Sequence, residues 1–408
     1  MRGGWLVLLG TGCSLQWGYD RDFRVDAGAA VSIDAEQGAD AVVDALVPLD
    51  GPMNVPSSGT FGAPVAYATD VNPVAITIGD FNRDGRPDVA TANNKHQGSN
   101  INTIGTVSVL LTNMNGTLGT ATHYTVGYGP VGIASGDFNR DGKLDLVTTN
   151  LAQGMGGNMT ILLGDGGGMF GAPTPGAACC SPQGVAAGDL NGDGKLDLAI
   201  ANYFAVQILI GNGSGGFAAP VAYALTGSPW SVALGDMNND GKLDVVAGYN
   251  IDPNPDSVAV FLGNGNGTVQ AATIYNTNKG LNHVALAHLD GDGKLDVITA
   301  NVSGSGDISV LRGTGTGALL TATHYAMGTS PTQVTIGDFN GDGKPDVAAS
   351  SDNTAVVRLG NFDGTFGAST GYAAQQGFAV ATADFNLDGR ADLVVAIDNT
   401  VSMLLGQP

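Results

Sequence analysis

Positive charge is scarce in this chain. Lysine and arginine together number 16 against 37 acidic residues, a formal net charge of −21. A basic patch able to neutralise phosphates is missing, which argues against nucleic acid as a partner. Aromatic residues make up 6% of the sequence, thin cover for a sugar-stacking surface, and histidines number five. No Gly-x-Ser-x-Gly elbow or nucleophile–base constellation is evident, so hydrolase or lyase chemistry lacks its usual parts. No stretch is long and apolar enough to span a bilayer, and long helical periodicities are absent. Of the three cysteines, Cys179 and Cys180 are adjacent, and the reading stays open between a vicinal disulfide and free thiols.

What is abundant is glycine, 64 of 408 residues, alongside an ordinary 43% of apolar residues. That combination reads as many short strands joined by tight turns, an all-β chain. A nine-residue acidic signature, Asp-x-Asn-x-Asp-Gly-x-x-Asp, recurs seven times at spacings of 57, 52, 47, 52, 50 and 46 residues. Regular spacing in that range marks repeated units sharing one body.

The signature puts oxygen donors at positions 1, 3, 5 and 9. Glycine at position 6 allows the positive φ that wraps the loop, and the carbonyl of position 7 points inward. Hard oxygens in a flexible cage of six or seven favour Ca²⁺ over Mg²⁺. The first copy offers Asp80, Asn82, Asp84 and Asp88, with the carbonyl of Arg86. The second offers Asp137, Asn139, Asp141 and Asp145 with Lys143, and the third Asp189, Asn191, Asp193 and Asp197 with Lys195. The fourth has Asp236, Asn238, Asp240, Asp244 and Lys242. The sixth has Asp338, Asn340, Asp342, Asp346 and Lys344, and the seventh Asp384, Asn386, Asp388, Asp392 and Arg390.

The fifth copy differs, running His288, Asp290, Asp292, Lys294 and Asp296. An imidazole is a poor partner for a hard cation, so this loop is expected to be weak or empty. Up to seven Ca²⁺ are expected in all. The motifs hold 21 of the 37 acidic residues, so the acidity is mostly a property of these loops. An EF-hand would need an acidic residue at position 12 and flanking helices, whereas Thr91, Thr148 and Ile200 stand there in β-branched runs.

A second recurring feature is an apolar strand entering a glycine-rich turn and an aromatic, as in Ile208-Leu209-Ile210-Gly211-Asn212-Gly213-Ser214-Gly215-Gly216-Phe217. With the acidic loops, it makes residues 58–406 resemble the FG-GAP/VCBS repeat family, whose calcium-loop propellers include the integrin alpha-subunit head. The resemblance implies a seven-bladed β-propeller of four-stranded blades. The last unit stops at Gly406 without a fourth strand, while Gly59–Ala68 carries the missing turn and strand. The N-terminal strand is therefore expected to complete the last blade.

Residues 1–13 resemble a bacterial lipoprotein export signal with Cys13 as the lipidated residue, and residues 14–57 read as a flexible Ala/Asp/Pro tether. These features point to an exported, surface-anchored chain, or alternatively a secreted or periplasmic one. They imply membrane contact only through the lipid. The expected role is a non-catalytic, monomeric adhesion, recognition or scaffold module for an extracellular protein or glycan. Alternatives are a lectin and, further off, a propeller-type lyase or hydrolase. Recognition is expected on the face opposite the acidic loops, where connections vary most. The candidates there are Trp230, Tyr203, Tyr249 and His283, with Lys95, His96, Tyr128, Phe204 and Phe378. His123 and His324, in matching Thr-His-Tyr segments, read as structural.

Overall fold

The computed structural model describes residues 61–95, 103–151, 157–178, 181–251, 255–303, 306–352, 354–373 and 377–407. Cys13, the leader, the tether, His96, Cys179 and Cys180 lie outside them.

Within the described residues, 28 strands form seven four-stranded antiparallel sheets, without a helix. Six sheets take their strands in chain order, innermost to outermost. Blade 1 runs Pro73–Gly79, Asp88–Asn93, Ile104–Leu110 and Thr122–Tyr128. The innermost strands of blades 2 to 7 are Pro130–Gly136, Pro182–Gly188, Ser228–Gly235, Leu281–Ala287, Gln333–Gly337 and Gly377–Ala383. Each packs against the next, and the seventh against the first, so the sheets form a closed ring.

Blade 7 is completed from the other end of the chain. Val65–Ala68 pairs antiparallel with Thr400–Leu404, Val65 opposite Met403 and Ala68 opposite Thr400. A further bridge joins Phe61 to Gly406, and Phe61 packs edge-on to Tyr372 of blade 6 at 5.0 Å. The expected closure by the N-terminal strand is what the structure has.

The apolar core is divided among the seven seams between neighbouring blades. The seam of blades 3 and 4, for example, joins Ala199, Val206 and Ile208 to Val232, Ala247 and Tyr249. The seam of blades 7 and 1 joins Val394 and Val401 to Ile76 and Val89. Inner strands are therefore covered on both faces, and second strands such as Asp88–Asn93 are buried at every residue. That is why alternation is weak in these runs. Small residues ending the innermost strands admit the neighbour. A Cβ on Gly79 would lie 2.7 Å from Leu144 Cδ1 of blade 2.

Polar side chains stitch the inner strands together across seams. Ser231 Oγ accepts the N–H of Val284 at 3.1 Å, and Gln333 Oε1 accepts that of Val380 at 3.0 Å. Thr77 and Ser135 hydroxyls meet at 3.1 Å.

Candidate metal centres and surface residues

Each acidic loop joins the first and second strands of its blade, where a chain reversal must hold several carboxylates close together. The loop does this with its own backbone. In blade 1, Asp80 Oδ1 accepts the N–H of Asp84 at 3.0 Å, and Oδ2 that of Gly85 at 2.8 Å. Asn82 Oδ1 accepts the same Asp84 N–H at 3.0 Å, and Asp84 Oδ1 accepts that of Arg86 at 2.9 Å. Oxygens from positions 1 and 3 thus bracket a common point. The pattern repeats at Asp137, Asp189, Asp236, Asp338 and Asp384.

Glycine at position 6 has positive φ in every copy, 83° at Gly85 and 74° at Gly293, as the loop requires. Position 4 is left-handed as well, which the motif did not disclose. Glycine fills it at Gly192, Gly291 and Gly341, but Arg83, Arg140, Asn239 and Leu387 hold φ of 58–61° there.

Position 9 has a role that the sequence reading missed. Asp88 is fully buried, with Oδ2 accepting the N–H of Phe81 at 3.0 Å and Oδ1 that of Thr112 at 2.7 Å. One carboxylate therefore ties the acidic loop to the turn between the third and fourth strands of its blade. The clamp recurs at Asp145, Asp197, Asp244, Asp296, Asp346 and Asp392. Burial pushes these carboxyls up, to about 7 for Asp88, Asp346 and Asp392 and to about 6 for the others. The backbone N–H donors oppose that shift, and the neighbouring loop aspartates add to it.

The loop also grips the next blade. The N–H of Gly168, in the glycine turn of blade 2, donates to Phe81 O at 3.0 Å. Gly215 donates likewise to Phe138 O, Gly267 to Leu190 O and Gly317 to Met237 O, each at 3.0 Å. Acidic loops and glycine turns therefore share one face, as expected, and form a belt around it.

The fifth loop shows where position 1 points. His288 Nδ1 lies 2.9 Å from the carbonyl of Lys294 at position 7, so that nitrogen carries the proton and donates. Position 1 and the position 7 carbonyl face one another across the loop, as a shared cation would need. Here the imidazole itself spans the gap, while Asp290 lies 3.9 Å from Arg312 Nη1.

Among the described residues, no three His, Cys, Asp or Glu side chains converge as a ready-made cage. The geometry accounts for this. Position 3 is Asn in six loops, position 9 is drawn to backbone donors, and lysine at position 7 pairs with position 5. Those pairs are Lys143–Asp141 at 3.1 Å, Lys195–Asp193 at 2.7 Å, Lys242–Asp240 at 3.2 Å, Lys294–Asp292 at 2.6 Å and Lys344–Asp342 at 2.9 Å. The donors at positions 1, 3 and 5 and the facing carbonyl are still the hard, loop-borne oxygens that suit calcium. A cation would take over the neutralising work of the lysine.

The opposite face requires corrections. Tyr249 is 1% exposed and His283 2%, so neither is available as a surface ligand residue. Tyr249 belongs to the apolar seam of blades 3 and 4, and His283 Nδ1 faces the N–H of Val334 in blade 6 at 3.5 Å. Trp230 is half-buried at a register irregularity in its strand. Its ring N–H lies 3.2 Å from the amide oxygen of Asn250, once that amide is oriented to satisfy its neighbours. Tyr128 and Phe378 are also half-buried, and Lys95 is paired with Asp70 at 2.6 Å.

Tyr203 and Phe204 do reach solvent, 51% and 60% exposed at a hairpin tip, with rings edge to face at 4.5 Å. His123 and His324 hold matching places, their Nδ1 atoms 2.9 Å from Ser108 Oγ and 3.0 Å from Ser309 Oγ.

Comparison with known proteins follows this geometry. A family model described as FG-GAP-like repeat matches residues 189–247, 288–349 and 338–395, and an FG-GAP repeat model matches 228–270. No curated protein matches the sequence. Among solved structures, an Agrocybe aegerita lectin described as recognising non-reducing terminal N-acetylglucosamine is similar. It has TM-score 0.51 and 17% identity, over 81% of this chain and 87% of that one. A structure described as BBS1N in complex with ARL6DN, soaked with lead, gives TM-score 0.56 and 11% identity over 85% and 96%. At these identities the likeness is one of fold.

Proposed function

Because this chain is a member of the FG-GAP repeat family, closed as one ring of seven blades, we propose that it is a calcium-stabilised, non-catalytic recognition module. The observation that carries the reading is the double attachment of the acidic loops. Each is clamped to its own blade through position 9, and four of them visibly receive the glycine turn of the next blade. An ion bound to such a loop would stiffen two blades at once. Extracellular modules bind calcium at about 10⁻⁴ to 10⁻³ M, in keeping with the leader-like N-terminus and an exported protein. Positions 1, 3 and 5, the position 7 carbonyl and the outer lone pairs at position 9 would hold the ion. The chemistry it supplies is charge neutralisation alone.

The test is a melt with and without chelator. A large fall in melting temperature on removing calcium is expected, and an unchanged melt would reject the structural role. On the face opposite the belt, the exposed Tyr203–Phe204 tip is the surface best placed to meet a partner. Capture of an extracellular protein that is lost in Tyr203→Ala/Phe204→Ala, with the melt preserved, supports it; equal capture by both proteins rejects it. A saccharide-binding form of the same reading is favoured by the fold shared with the N-acetylglucosamine-recognising lectin.

A further inference from the structure

One seam breaks the repeat. The last residue of the third strand's apolar run is Leu111, Leu163, Ile210 and Leu262 in blades 1 to 4, and Leu359 and Leu405 in blades 6 and 7; in blade 5 it is Arg312. Where these residues are aliphatic, they pack under the next blade's glycine turn. A Cβ on Gly168 would lie 2.6 Å from Leu111, and one on Gly267 would lie 2.4 Å from Ile210. Arg312 takes that place under Gly364 of blade 6.

The preceding position breaks the pattern in the same seam. Leu110, Leu162, Leu209, Phe261, Leu311 and Leu404 are buried opposite their second strands, but blade 6 has Arg358. Its guanidinium carbon lies 5.8 Å from the ring centroid of Tyr325 in blade 5, and its Nε donates to Ala326 O at 3.0 Å.

Two arginines thus stand at this seam in place of aliphatic residues. A cleft of about 150 Å³ lies between blades 5 and 6, lined chiefly by Arg312, Thr321, Thr323, Tyr325, Asp363 and Thr365. Three hydroxyls, a carboxylate, a guanidinium and an aromatic ring therefore converge on one space. Arg312 is half-exposed, and Asp363 Oδ1 accepts from both the N–H and the hydroxyl of Thr365, at 2.9 and 2.5 Å. The one arginine of the lining, Arg312, is balanced by its one carboxylate, Asp363, so the cleft favours neither sign of ligand charge. Its size is below the ~300 Å³ at which pockets for larger ligands begin, which limits it to about one ring.

We propose that the seam of blades 5 and 6 is a binding site for one neutral sugar ring. Asp363 Oδ2 would accept from the sugar hydroxyls, Arg312, Thr321 and Thr323 would donate to ring and hydroxyl oxygens, and Tyr325 would supply the apolar wall. This names a ligand class for the recognition reading and rests on it, but it uses a different surface from the Tyr203–Phe204 tip.

The repeat supplies the test. Arg312→Leu restores the residue of the neighbouring seams and is expected to fold. Wild type, Arg312→Leu and Met114→Ala, a change at an exposed residue in the glycine turn of blade 1, are applied to an array of neutral and acidic monosaccharides, and hits are titrated by saturation-transfer NMR. The expected result is that wild type binds a neutral sugar, that Arg312→Leu weakens it by at least about tenfold, roughly one charge-assisted hydrogen bond, and that Met114→Ala binds unchanged. Should Arg312→Leu misfold, Asp363→Asn replaces it, since Asn115 and Asn266 hold that place in other turns. No neutral sugar bound by wild type, a preference for acidic sugars, or equal binding by the cleft variant overturns the proposal. Loss of binding in Met114→Ala to the same extent would also overturn it.

Discussion

Replacing His288 by Asp asks whether the acidic loops are built for an ion. In the chelated protein, His288→Asp removes the 2.9 Å bond to Lys294 O, worth about 1 kcal/mol net. It also adds a carboxylate beside Asp290, Asp292 and Asp296, and at ~5 Å in a water-like dielectric each like-charge pair costs on the order of 0.8 kcal/mol. The new aspartate would regain the two backbone N–H bonds that Asp80 accepts in blade 1, each worth about 1 kcal/mol, so the variant should be less stable than wild type by about 1–2 kcal/mol without calcium. With calcium at ten to a hundred times the dissociation constant, a seventh site returns about 1.4–2.7 kcal/mol by mass action. The penalty should thus be erased or reversed by the ion, and the calcium stoichiometry should rise from six to seven. Denaturant unfolding in calcium and in chelator measures the first, and calorimetric titration the second. Seven ions bound by wild type, or no gain in the variant, would refute the idea that His288 stands in for the ion.

Leu387 is 53% exposed and holds φ of 59°, so Leu387→Gly should stabilise the ring by about 0.5–1 kcal/mol, read as a higher denaturant midpoint. Gln333→Leu strands the buried N–H of Val380 and should cost about 1–3 kcal/mol, with the calcium stoichiometry unchanged. Burial would raise the Asp70 carboxyl, but Lys95, the N–H of Val71 and the Thr106 hydroxyl outweigh it and hold it below its ordinary value. Its stabilisation is therefore present above pH ~4 and lost as pH falls through the lowered folded value. Asp70→Asn should be destabilised at pH 7, and the gap to wild type should close in acid, as thermal melts across pH will show.

The ring, its blade number and its closure were legible because they depend on periodicity and on a strand missing at one end and present at the other. The acidic loops between first and second strands were legible for the same reason, being repeated. Tyr249 and His283 were misplaced on the surface because the first and second strands of a blade are covered on both faces, and alternation then no longer separates inside from outside. The position 9 clamp had left a trace in the sequence: Asp296 persists in the copy that lost its position 1 aspartate, so holding an ion is not its only role. The left-handed position 4 also showed, as glycine in three copies, but Arg83 and Leu387 masked it. Arg312 and Arg358 become visible only when third strands are aligned with one another rather than with the acidic motif.

Closure of blade 7 by Val65–Ala68 sets an order of events during synthesis. The strand that seals the ring leaves the ribosome ahead of the other 27 described strands, yet its pairing partner, Thr400–Leu404, follows only after the 26 between them. Until then both edges of the growing arc stay unpaired, open to a neighbouring copy. The early strand is only four residues long, with just the Tyr67 side chain half-covered once docked. A short, weakly apolar strand is a poor template for premature pairing, which suits a segment that must wait for the rest of the chain.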